Sequence, residues 1–142
     1  MLTEIDAEPQ AKSLKEVAMH IQPLSSAPVN ERGGQKSYLL LGREQFDSKN
    51  LAITWVDCAP GSMQAVHGHP DNEQVYVVVR GRGVMQVGGE MQEVSEGTLV
   101  FIPPGAAHAI KNASDEPLMF VSATSPPFDP AELDAYFAYK QR

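Results

Sequence analysis

Two stretches decide the fold of this chain: residues 61–81, GSMQAVHGHPDNEQVYVVVRG, and residues 97–112, GTLVFIPPGAAHAIKN. The first places His67 and His69 two residues apart. In an extended segment both imidazoles point to one face, roughly 7 Å apart along the strand. From there two nitrogens can converge on one metal at about 2.0–2.2 Å. His108 follows just past the sharp turn Pro103-Pro104-Gly105. It can join the pair only in a fold that returns the second stretch beside the first. The bland reading is a pair of surface histidines beside a Gly-Pro turn, and a His-x-His pair alone does not separate the two.

Working outward, eight of the 11 glycines lie between Gly61 and Gly105, with short apolar or alternating runs between them. Leu51 to Val56, Val75 to Val79, Val84 to Val87, Leu99 to Ile102 and Leu118 to Val121 read as strands, with an earlier one from Ser37 to Leu41. Gly88-Gly89 reads as a two-residue hairpin turn, since glycine takes positive φ without a side-chain clash. Asn112 to Pro117 reads as a second turn. Strands at this spacing, with no helical pattern between them, indicate an all-β sandwich or barrel. The ends read differently. Leu14, Val17, Ala18 and Ile21 have helical spacing over Pro9 to Ile21. Asp129, Pro130 and Glu132 suit the start of a C-terminal helix with Leu133, Tyr136 and Phe137 as its apolar stripe. The division expected is 1–35 for an N-terminal helix and linker, 36–125 for the β-barrel, and 126–142 for a C-terminal helix packed on it.

Residues 61–81 resemble the first cupin motif: a glycine, five residues, His-x-His, a short spacer, a carboxylate, six residues and a glycine. Residues 97–112 match the second motif at every position: Gly97, Pro103, Gly105, His108 and Asn112. The resemblance implies a cupin-type double-stranded β-helix (jelly-roll) barrel and a metal held by His67, His69 and His108. One position departs from the pattern. Leaving six residues before Gly81 puts Gln74 where the family usually has its carboxylate ligand, while leaving three after His69 gives Glu73. Adjacent strand residues face opposite ways. Gly81 ends the strand and fixes the register better than the Pro70-Asp71-Asn72 loop, so Gln74 is favoured as fourth ligand. Three imidazoles and an amide leave the +2 charge of an ion uncompensated, which favours anionic oxygen ligands. Such donors suit Fe, Mn, Ni, Zn or Cu.

Tyr76 shares the predicted face of Gln74 and carries a phenol able to donate to a substrate oxygen. Glu73 is the candidate general base if its loop curls over the metal. Met63, Trp55, Met85, Phe101 and Met119 are pocket candidates, most of which read first as ordinary core packing. Two classes of function follow. One is a metalloenzyme acting on a small oxygen-bearing organic molecule, by dioxygenase or isomerase-type chemistry. The other is a cupin module that binds a sugar or metabolite without turnover.

The composition trims the field. The chain has 142 residues and a formal net charge of -7. That balance argues against nucleic acid, whose phosphates demand a basic face. No apolar run approaches the roughly 18 residues of a membrane helix. Cys58 is the single cysteine, so no internal disulfide forms. Residues 1–10 lack a basic segment followed by an apolar one, so a cytoplasmic protein is expected. Val75, Val77 and Val79 make the outer face of their strand apolar as well, which points to a homodimer.

Overall fold

The computed structural model describes residue 14 and residues 16–128. Nine strands run through them: β1 (Val29–Arg32), β2 (Gln35–Leu41), β3 (Ala52–Cys58), β4 (Glu73–Arg80), β5 (Arg82–Val87), β6 (Glu90–Ser95), β7 (Leu99–Ile102), β8 (His108–Lys111) and β9 (Leu118–Ser125). They form two antiparallel sheets. One has six strands in the order β1-β2-β3-β9-β4-β7, and the other three in the order β6-β5-β8. The all-β architecture expected from the turn spacing is therefore the one observed. Gly88-Gly89 closes the β5–β6 hairpin, with Val87 opposite Glu90.

Strand alternation builds the core. Along β4, Gln74, Tyr76 and Val78 turn inward, and along β9 Leu118, Phe120, Ser122 and Thr124 do so. Val56, Val78, Leu118 and Phe120 of the large sheet meet Met85, Val94 and Ile110 of the small one. The crossing from β4 to β5 is tight. Gly81 has φ +78°, and a Cβ there would strike the Pro117 carbonyl. Only glycine fits both demands.

Two expectations are corrected. Residues 16–21 form no helix, and Leu14, Val17 and Ile21 are largely exposed. Helical spacing gives a short helix little stability unless its apolar stripe is packed. The only helical turns among the described residues are 3-10, at Leu24–Ser26 and Gln45–Asp47. The sheet also begins at Val29, inside the stretch assigned to helix and linker. The remainder of the N-terminal helix and the helix from Asp129 lie outside the described residues. Among those described, no helix is long and apolar enough to cross a membrane.

Asn112, fully buried, locks the end of the second motif. Its Nδ2 donates to the Cys58 carbonyl (3.0 Å) and the Glu116 carbonyl (2.7 Å), and its Oδ1 accepts from Ser114 N–H (3.1 Å) and Ser114 Oγ (2.8 Å). Asn112→Ala removes all four bonds. At typical net values it is expected to cost about 2–4 kcal/mol, read from urea unfolding. A loss below about 1 kcal/mol would contradict this role.

Candidate metal centre

The segment 61–69 is mostly irregular, yet it runs antiparallel to 105–112 through backbone hydrogen bonds. Gly61 N–H donates to Asn112 O (2.8 Å), Gln64 N–H to Ile110 O (3.1 Å) and Gly105 N–H to His69 O (2.9 Å). His67 and His108 exchange both of theirs, at 3.1 and 2.8 Å. The two motifs are thus zipped together, with His67 directly opposite His108. Gly68 keeps them close, since a Cβ there would lie 3.2 Å from Ala106 O.

This places three imidazoles in one group. Ring centroids are 4.3 Å apart for His67 and His108, 5.4 Å for His67 and His69, and 5.9 Å for His69 and His108. One nitrogen from each lies within 4.8 Å of the others, so the group can hold a metal ion. Two rings have their tautomer set. His67 Nδ1 donates to Ala65 O (2.8 Å) and His108 Nδ1 to Ala106 O (2.9 Å). A carbonyl only accepts, so the proton sits on Nδ1 and Nε2 is left as the ligand atom.

Gln74 is 5% exposed on the inner face of β4. Its Nε2 donates to Thr124 Oγ1 (2.9 Å), while its buried Oε1 accepts no hydrogen bond among the described residues. An amide oxygen left in that state costs about 1–3 kcal/mol. A cation beside it would remove the penalty, and the donor set of three imidazoles and one oxygen fits a divalent transition metal. Glu73, one residue earlier, is exposed on the opposite face and does not line the cavity. Tyr76 is buried beside the histidines. Its ring is stacked on Phe120 at 4.4 Å and edge-on to His108 at 5.8 Å, and its hydroxyl donates to Gln64 Oε1 (3.4 Å).

Residues 54–124 match the family described as cupin domain. The chain belongs to the cupin family. Over 96 residues it is 27% identical to the oxalate-binding protein of Thermotoga maritima, covering 66% of this chain and 79% of that protein. Over 103 residues it is 28% identical to oxalate decarboxylase OxdC of Bacillus subtilis, covering 69% of this chain. It spans about a quarter of that decarboxylase's length, and about half that of an archaeal relative. An RmlC-like cupin from Shewanella frigidimarina superposes with a TM-score of 0.67 at 22% identity, over 79% of this chain and 95% of that one.

In this cupin His67, His69 and Gln74 border a cavity of about 340 Å³. Of the other pocket candidates, Met63 and Phe101 are exposed, Met85 belongs to the core, and Trp55 Nε1 donates to Asp57 Oδ1 (2.7 Å). Four polar lining residues were not singled out from the sequence: Asn30, Ser37, Thr54 and Ser122. The alternation of β9 carries a signal for Ser122, which falls in phase with Leu118 and Phe120. Phe128, 4.6 Å from the His69 ring, closes one side.

Cys58 is buried in the core, away from the cavity lining. Burial first, and the neighbouring Asp57 carboxylate second, push its thiol from 9.0 up to about 12, against a smaller opposing hydrogen bond with Ser62. The raised value stabilises the fold fully below the unfolded thiol's titration near 9.0, and that contribution is lost as pH rises through about 12. Urea unfolding is therefore expected to show stability falling over that window, with Cys58→Ala flattening the fall. Parallel curves for the two proteins would contradict it.

Proposed function

We propose that this cupin is a metal-dependent enzyme acting on a small oxygen-bearing organic molecule, with Nε2 of His67 and His108, a nitrogen of His69 and Oε1 of Gln74 as the ligands. The observation that carries the reading is the buried Gln74 Oε1, without a hydrogen-bond partner among the described residues, on the cavity that His67 and His69 also line. A divalent Fe, Mn, Ni, Zn or Cu ion bound there supplies Lewis acidity that four neutral donors leave undiminished.

The chain's own residues do the rest. Tyr76, whose single hydroxyl proton points to Gln64 Oε1 at 3.4 Å, turns that proton to a substrate oxygen as negative charge develops there. Phe120 and Phe128 exclude water from one side of the cavity. No Asp, Glu, Lys or Arg among the described residues lines it. Stabilising charge on an oxygen, as in isomerase-type chemistry, thus fits better than shuttling protons between carboxylates. Glu73, on the outer face, takes no part in this reading.

A second reading is binding without turnover. The relative named an oxalate-binding protein and the lack of a lining carboxylate favour it. A second copy of the chain is also proposed to cover the outer sheet face, where Val79, Leu99 and Phe101 are exposed.

Elemental analysis of the purified protein is expected to find one transition metal per chain, lost in His67→Ala together with turnover of small hydroxy- and oxo-acids. Ligand-induced stabilisation that persists after chelation, with no turnover, would select the binding reading. Absence of stoichiometric metal with unchanged activity in His67→Ala would sink the metal centre.

A further inference from the structure

The cavity extends well beyond the histidines, and its far side is unlike an ordinary sheet interior. Strand register lines up one row across the large sheet: Thr54 on β3 faces Ser122 on β9, which faces Tyr76 on β4. In the next row Asn30 of β1 pairs with Ser37 of β2, which lies opposite Val56 of β3. All five line the same cavity as His67 and His69. Beside them, Val56, Phe120 and Val78 also pair across the sheet and are apolar. Val56 and Phe120 border the cavity too, so one sheet face gives it apolar walls interrupted by the polar positions Asn30, Ser37, Thr54 and Ser122. Folding does not require the hydroxyls. Valine has nearly the shape of threonine and an equal preference for strands, and a hydroxyl withdrawn from water without a partner costs about 1–3 kcal/mol.

We infer that Asn30, Ser37, Thr54 and Ser122 form a neutral hydrogen-bonding subsite for the hydroxylated tail of a ligand whose oxygen-bearing head lies at the histidines. This rests on the proposed function and names its substrate class: a polyhydroxy carboxylate or carbonyl compound. Two observations support it. No charged side chain among the described residues lines the cavity, so a charged tail would be desolvated without a partner. The cavity, of about 340 Å³, runs from His67 and His69 to Asn30 and Ser37, which leaves room for a tail beyond the head.

The test is isothermal titration of the full chain saturated with Mn²⁺, using three probes with a common carboxylate head. D-gluconate has a hydroxylated tail, hexanoate an alkyl tail, and glycolate none. Gluconate is expected to bind at least about ten-fold more tightly than hexanoate, the equivalent of one or two net hydrogen bonds. Thr54→Val with Ser122→Ala is expected to abolish most of that preference and leave glycolate binding unchanged, while Thr54→Ser retains it. Should the double variant melt early, Ser122→Ala alone, which removes one oxygen, gives the same reading at smaller size. Hexanoate binding as tightly as gluconate, an undiminished preference in the variants, or no binding of any probe would overturn the subsite. If His67→Ala leaves glycolate binding intact while the gluconate preference persists, the metal-centre reading fails and the subsite stands.

Discussion

The site depends on one set of interactions, the backbone hydrogen bonds that hold residues 61–69 antiparallel to 105–112. They bring His67 and His108, far apart in the chain, to face each other. The mutual pair between them fixes the backbone, and the carbonyls of Ala65 and Ala106 then fix the rings. His67 and His108 are each held by the residue two before them, so the short loops supply both the ligand and the group that orients it. Asn112 ends the zipper by bonding β3 and the turn after β8 together. Its role is architectural although it closes the second motif.

Electrostatically the molecule is divided. The chain carries a net charge of -7, whereas the described cavity wall is neutral, made of imidazoles, amides, hydroxyls and apolar groups. A cation placed there would meet no competing lining carboxylate. Its charge would then act on whatever oxygen the ligand presents. Gln74 in the place of a carboxylate is the substitution that produces this division. An acidic surface around a neutral site favours a bound cation without neutralising it at short range.

The motifs made the centre of the fold legible. Counting from Gly81 with the two-residue strand period turned Gln74 and Tyr76 inward and Glu73 outward, and the structure places them so. The edges were less legible, for a physical reason. β1 and β6 lie at the borders of their sheets, where one side lacks a partner strand and polar residues suffice. Val-Asn-Glu-Arg and Glu-Met-Gln-Glu-Val-Ser therefore carry little apolar alternation. The helical spacing near Ile21 misled in the opposite way, because periodicity describes a face without saying what covers it. Thr54 and Ser122 were passed over since a hydroxyl in a strand ordinarily reads as facing water. Only the register shows them facing a cavity.

The central claim is that Gln74, and not Glu73, completes a metal centre with the three histidines. Anomalous diffraction from crystals grown with Mn²⁺ tests it most directly. The account predicts a single strong peak bounded by nitrogens of His67, His69 and His108 and by Oε1 of Gln74. A peak coordinated by Glu73, or none beside the three histidines, would contradict it.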